Sequence, residues 1–333
     1  MQNSTITSVA TARDGSDIQQ VTIARGDVTA TLITWGASLQ DLRLSGVAHG
    51  FALGSPDALD YTGPMRHFGS IVGPVANRIA GGRLVLNGQE IQLEQSEAAT
   101  GNCLHGGSTG FSKRNWTLVE ADAQAATFAI THDDGLGNFP GTIEARARYE
   151  IAEDGALVLE LTGTADRQTW FAPAFHGYWN LDGSDDLSGH RLTVMADTYL
   201  PVDAAQIPLG APEPVAETAF DYRTPRAPEP DLDHNFCLSR EQGSMRTACV
   251  VAAGEFRLTV QTTEVGLQVY SGGNLNTTPT TGHHGKPYAA NAGIAIEPQF
   301  WPDTPNHPDY PSAAIAPGQP YRQVSRFHVT RTP

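Results

Sequence analysis

The sequence predicts an all-β protein, a sandwich or barrel of short antiparallel strands folded as one domain over residues 1–333. Three observations carry that expectation. Apolar and polar residues alternate with period two in one segment after another, as a half-buried strand requires when successive side chains point to opposite faces. Glycine (34 residues) and proline (22), with Asn and Asp, break these segments at short intervals, a spacing of turns rather than of crossover helices. No amphipathic pattern of helical period extends beyond about three turns, so a βαβ architecture would lack its helices.

Along the chain, "DVTATLITWG" (27–36) is the first clear strand, alternating and rich in β-branched residues. "GRLVLNGQEIQL" (82–93) places Asn87-Gly88 between two alternating arms. Both central residues of a type I′ turn need positive φ, which Asn and Gly accept, so this segment reads as a two-residue hairpin. "ATFAITHDD" follows, and "EARARYEIAEDGALVLELTG" (144–163) repeats the hairpin signal at Asp154-Gly155. "HRLTVMADTYL", "EFRLTVQTTEVGLQVYSG" and "QVSRFHVTRT" supply the later strands. The Pro-rich segment at 207–235 is the best linker candidate, but patterned residues interrupt it, and it reads equally as a surface excursion of one domain.

A hydrophobic fraction of 40% and a charged fraction of 17% describe a folded globular chain. With 21 Lys+Arg against 36 Asp+Glu and a net charge of −15, no basic face is expected and nucleic acid is excluded as a partner. Cys103, Cys237 and Cys249 form no CxxC pair, which argues against both a disulfide framework and a thiolate zinc site. The N-terminal "MQNSTITSVATARDGSD" lacks the basic-then-apolar order of a secretory signal, and no apolar run reaches membrane-span length. The expectation is a cytoplasmic protein with no membrane partner.

Polar residues cluster beside glycines and aromatics where the alternation fails. They are Asn77 and Arg78 in "GPVANRIAGGR", His105 in "NCLHGGSTGF", His176 in "FHGYWNLDG", Asp233 in "DLDHNF" and Glu297 in "AGIAIEPQFWPD". Glu297 is the most demanding, because a carboxylate on so apolar a strand costs several kcal/mol unless it is paired or hydrogen-bonded. Each residue also has an ordinary structural reading: an ion-pairing arginine, a turn histidine, a core histidine, a capping aspartate. A metal site is not expected. His283 and His284 are neighbours that would point to opposite faces of a strand, and His105, His176, Asp233 and Glu297 show no HxH or HExxH spacing.

Together with "GPVANRIAGGRLVLNGQEIQL", "NCLHGGSTGFSKRNW" and "FHGYWNL", the segments "DHNF", "EVGLQVYSGGNL" and "IEPQFWPDTPNHPDYPSAAIAPGQPY" occur in an order and spacing that resembles the aldose 1-epimerase (galactose mutarotase) family. The resemblance runs from about Val28-Thr29 to the C-terminal strand. LHGG alone is a weak motif; the ordered set is a strong one. It implies a large, mostly antiparallel β-sandwich of the galactose mutarotase-like supersandwich type with an open sugar cleft. It also implies Glu297 as catalytic base, His176 as catalytic acid, and Arg78, His105, Asp233 and Gln268 as sugar-binding residues, with Asn77 beside them. The implied partner is an aldose, on a monomer or homodimer, with no cofactor. The chain departs from the family's pattern at Pro74-Val75, where an aromatic is usual, at Gly177, where proline or serine is usual, and in "WFAPAF", which lacks the polar residues common there.

The implied chemistry suits these residue types. Interconverting anomers removes a proton from the C1 hydroxyl and delivers one to the ring oxygen, after which the open aldehyde turns and recloses. A carboxylate is a competent base at neutral pH, and a histidine with a reference pKa near 6.5 can hold the acid proton. On those reference values, kcat/KM falls at low pH as Glu297 protonates and at high pH as His176 loses its proton. Trp179, Phe300 and Trp301 either cover the C–H face of the sugar or fill the core. Three alternatives stay open at this stage: a hexose-6-phosphate 1-epimerase, which needs clustered Arg and Lys, a non-catalytic sugar-binding protein, and a glycosidase pairing Asp233 with Glu297.

Overall fold

The computed structural model describes residues 5–332. The alternation of "IEARARYEI" buries Ile143, Ala145, Ala147, Tyr149 and Ile151 and exposes Glu144, Arg146 and Arg148 along one strand, Ile143–Ile151. That strand belongs to an eight-stranded sheet. Its order is Thr117–Ala121, Ala125–His132, Ile143–Ile151, Leu157–Ala165, Tyr321–Arg331, Phe256–Thr262, Arg246–Ala253 and Arg191–Val194. A six-stranded sheet runs Tyr178–Trp179, Ile294–Gln299, Gly266–Tyr270, Asp233–Cys237, Thr198–Tyr199 and Glu213–Pro214. All neighbours in both sheets are antiparallel. The fold is the antiparallel β-sandwich that the sequence leads one to expect, and its helices are short 3₁₀ turns, the longest of them Ala58–Thr62. No helix among the described residues is long and apolar enough to cross a membrane.

The two sheets close on one apolar core. Phe327 of the larger sheet stacks on Trp179 of the smaller one (5.3 Å between centroids) and meets Phe175 edge-on at 5.1 Å. Strand Ile294–Gln299 is buried along its whole length. Ile294 and Ile296 join the shared core, so by the period-two rule Ala295, Glu297 and Gln299 face the other way. That outer face carries the candidate site. A four-stranded sheet (Ile6–Thr11, Asp17–Arg25, Val28–Ile33, Ser38–Leu44) packs beside it, with Val21, Ile23, Ala30 and Leu32 joined to Phe128 and Tyr149. Its first strand is an exposed edge carrying little alternation, which is why the sequence pattern becomes legible only at the third.

The Asn87-Gly88 hairpin forms with a two-residue turn: Leu86 pairs with Gln89, and φ is 53° at Asn87 and 75° at Gly88. The second hairpin differs from expectation. Ala152 N–H donates to Ala156 O at 2.9 Å, so the loop has three residues, Glu153 to Gly155, and only Gly155 takes positive φ (84°). A three-residue loop closed by a left-handed glycine is the next most common hairpin solution. The Pro-rich segment does not hang free. Glu213–Pro214 pairs with Thr198–Tyr199 at the sheet edge, and Val215 and Tyr222 are buried in the core. All three cysteines are buried and unpaired.

Candidate active site

Strand register sets the floor. Glu297 lies opposite Gln268, and Gln268 opposite Asn235, so the three side chains stand in one row on the cleft face. Asp233 is two residues before Asn235 and shares that face; its Oδ1 accepts from Gln268 Nε2 at 2.6 Å. His176 arrives from the wall. Strand Ala174–His176 pairs with Ser70–Val72, while Tyr178 and Trp179 pair with Ala295 and Ile294. His176 Nε2 is thereby carried to 3.7 Å from Glu297 Oε1, with both side chains almost fully buried.

A second cluster closes the end of the cleft. Strand Arg78–Ile79 pairs with Cys103–Leu104. On either side, Asn77 (φ 60°) and His105 (φ 54°) adopt the left-handed conformation. They grip each other: His105 N–H donates to Asn77 O, and Asn77 N–H donates to His105 Nδ1, both at 3.0 Å. Nδ1 is therefore an acceptor, which leaves the imidazole proton on Nε2 as the donor available to a ligand. The His105 ring meets His176 edge-on at 5.4 Å. Arg78 Nε donates to both carboxylate oxygens of Glu97, at 3.2 and 3.1 Å.

LHGG has a steric reason. Gly106 sits at φ 81°, and a Cβ there would lie 2.2 Å from the carbonyl oxygen of Gly73. Gly106→Ala combines left-handed strain, about 1–3 kcal/mol, with displacement of the segment holding His105. The expected result is a Tm lower by several degrees in calorimetry, together with a reduced kcat/KM. An unchanged melting curve and rate would show that the loop accommodates the methyl group. Gly177, the departure in "HGYWNL", has a similar cause, since a Cβ there would lie 2.3 Å from the Phe175 ring.

Burial dominates the electrostatics. It pushes Glu297 well above the usual carboxylate range, reinforced by the Asp233 carboxylate and opposed by the Arg78 guanidinium. Burial pushes His176 down to about 4 and His105 well below its usual range. Asp233 is also raised by burial, against the pull of Arg78 and the Gln268 hydrogen bond. Both shifts run against the order expected from reference values, burial raising the carboxyl and lowering the imidazole. Water stabilises both charged forms in a model peptide, and the strand floor removes that water from both.

The structure therefore gathers Asn77, Arg78, His105, His176, Asp233, Gln268 and Glu297 in one cluster, through direct contacts and strand register and, for Arg78, through its field on Asp233 and Glu297. Two of its residues have no sequence signal. Glu97, in "EQSEAAT", holds Arg78, and His67, in "MRHFG", lies against His105 and His176. The aromatic candidates belong elsewhere: Trp179, Phe300 and Trp301 are core residues, and the Trp301 indole N–H is spent on Val265 O at 3.0 Å. His283 is structural, with Nε2 2.8 Å from Gln40 O.

Comparison with known proteins places this arrangement in context. The family model described as Aldose 1-epimerase matches residues 19–328. The chain is 33% identical over 339 residues to the aldose 1-epimerase of Escherichia coli (strain K12), covering 96% of this chain and 97% of that protein. It is 34% identical over 327 residues to the galactose mutarotase of Mus musculus, covering 94% of each. Among solved structures, a GalM/aldose epimerase homologue from C. elegans superposes with a TM-score of 0.88 at 27% identity, covering 94% of this chain and 99% of that one.

Proposed function

The chain belongs to the aldose 1-epimerase family, and from that premise we infer that it interconverts the α and β anomers of aldoses such as glucose or galactose, with Glu297 as base and His176 as acid. It is an isomerase acting on carbohydrate. The observation that carries the assignment of roles is the 3.7 Å approach of His176 Nε2 to Glu297 Oε1 at the cleft floor. The hydroxyl that loses a proton and the ring oxygen that gains one are bonded to the same carbon, C1, so acid and base must be close neighbours.

The steps balance without a cofactor or metal. Glu297 carboxylate takes the O1 proton while His176 imidazolium gives its proton to O5. The C1–O5 bond breaks with its electron pair on O5, and C1=O1 forms. After rotation about C1–C2 the transfers run backwards on the other carbonyl face and restore both groups. Opening the ring moves the pair's proton from imidazole to carboxyl, the direction that burial favours at this site. Around the reacting carbon, His105 Nε2–H, Arg78, Asn77, Asp233 and Gln268 offer the mixed donors and acceptors that sugar hydroxyls pair with. Glu97 takes Arg78 Nε, leaving the Nη groups to face hydroxyls.

Residues 1–333 read as one domain on the strength of the core that joins both main sheets. A cytoplasmic monomer or homodimer fits three unpaired cysteines, since reducing compartments keep thiols free. The test is polarimetry of freshly dissolved α-glucose and α-galactose. Catalytic amounts of protein should speed the approach to equilibrium rotation above the spontaneous rate. Saturable binding in calorimetry without any acceleration would make this a sugar-binding protein instead.

A further inference from the structure

Three imidazole rings meet at the cleft, although the proposed proton transfers and hydroxyl contacts involve only two. His67 lies 5.7 Å from His176 at an interplanar angle of 30°, a stacked arrangement, and 5.0 Å from His105. Strand pairing holds it there: Gly69 N–H donates to His176 O at 2.9 Å, and Ser70 is in register with His176. Its Nδ1 is 3.1 Å from the hydroxyl of Ser112, itself fully buried. The ring is only partly buried, and its Nε2 makes no hydrogen bond to another described residue.

The position of His67 relative to the reaction follows from the ring chemistry. The pyranose oxygen bridges C1 and C5. Glu297 and His176 serve the C1 side, at O1 and O5. The charged groups acting on Glu297 are Asp233 and Arg78, and those acting on His67 are His176, Arg66 and Lys113. Stacked on His176 and against His105, the His67 ring is within reach of a substituent at C5 of a sugar whose ring oxygen faces His176. At C5 a hexopyranose carries a hydroxymethyl group and a pentopyranose only hydrogen. We propose that His67 is a specificity-determining residue that binds the exocyclic hydroxymethyl group of hexopyranoses through Nε2. The proposal rests on the mutarotase reading with His176 at the ring oxygen. Desolvation of the ring, reinforced by His176, Arg66 and Lys113, pushes His67 well below the usual imidazole range. A neutral imidazole bonded to a rotatable serine hydroxyl takes either tautomer, and an alcohol both donates and accepts, so the contact forms either way.

The experiment compares galactose with arabinose, whose L-pyranose is the same ring without the hydroxymethyl group, in the wild type, His67→Phe and His67→Asn. Phenylalanine keeps the stack on His176 and removes the hydrogen bond; asparagine keeps a polar group. In His67→Phe the ratio of kcat/KM for galactose to that for arabinose should fall about 3–10-fold, the effect of one neutral hydrogen bond, and His67→Asn should retain more of the ratio. Equal losses for both sugars, with a shifted acid limb in the pH profile, would make His67 a support for His176 and overturn the proposal. An unchanged ratio in a folded variant overturns it as well. Failure of the parent reading is distinct: the wild type would then accelerate neither sugar.

Discussion

Glu297→Gln is expected to lower kcat for mutarotation by about 10²–10⁴-fold, the usual contribution of a general base, equivalent to roughly 3–5.5 kcal/mol of barrier. The amide keeps the shape of the carboxylate and one acceptor oxygen on a strand buried along its whole length, so the surrounding packing has no reason to change. Sugar affinity, followed by calorimetry, should change little because Asp233, Gln268, Arg78 and His105 are untouched. What disappears is the capacity to accept the O1 proton. Polarimetry against the spontaneous rate measures the loss. Near-wild-type turnover on every aldose that the wild type accelerates would reduce Glu297 to a structural carboxylate.

His176→Asn should depress kcat by a comparable factor, because it removes the proton delivered to O5. The double variant should cost far less than the product of the single effects, since both residues serve one transfer cycle. The pH profile supplies an independent test. Active enzyme holds one proton on the Glu297–His176 pair, so kcat/KM should be bell-shaped, with limbs that belong to the coupled pair. Burial lowers His176 to about 4, so the acid limb is the arrival of a second proton on the imidazole, in the region of pH 4. Burial raises Glu297, so the alkaline limb is the loss of the last proton from the carboxyl, well above the usual carboxylate range. The residual rate of Glu297→Gln should therefore keep only a fall with rising pH, as the His176 imidazolium loses its proton near pH 4, and that of His176→Asn only a fall with falling pH, as Glu297 protonates well above the usual carboxylate range. A retained limb in His176→Asn at the ordinary carboxylate pH, or in Glu297→Gln near the ordinary imidazole pH, would refute the role of burial.

Much of this molecule is legible in its sequence because the relevant signals are local. Period two in "IEARARYEI" is a property of adjacent residues, and it marks the buried face of Ile143–Ile151 residue by residue. Asn87-Gly88 specifies its own turn, since both φ values are decided within the dipeptide. Where the local signal is weaker, the reading is less complete. Asp154-Gly155 marks a hairpin, yet its loop runs one residue longer, and the edge strand Ile6–Thr11 has too little burial to print a pattern. The seven candidate site residues became legible only as an ordered set of motifs, because each alone has an ordinary structural reading.

The sequence by itself determined the strands, the antiparallel class and the kinds of chemistry on offer: a carboxylate on an apolar strand, histidines beside glycines, no clustered thiols. Only the tertiary structure decided which groups meet and in what protonation order. Glu97 reaches Arg78, and His67 stacks on His176. Trp179, Phe300 and Trp301 turn into the core, and burial raises Glu297 while it lowers His176. The physical reason is the same in each case. Alternation and turn conformation depend on neighbouring residues, whereas contact and desolvation depend on atoms that the fold brings together from separate segments, 19 positions apart for Arg78 and Glu97 and more than a hundred for His176 and Glu297.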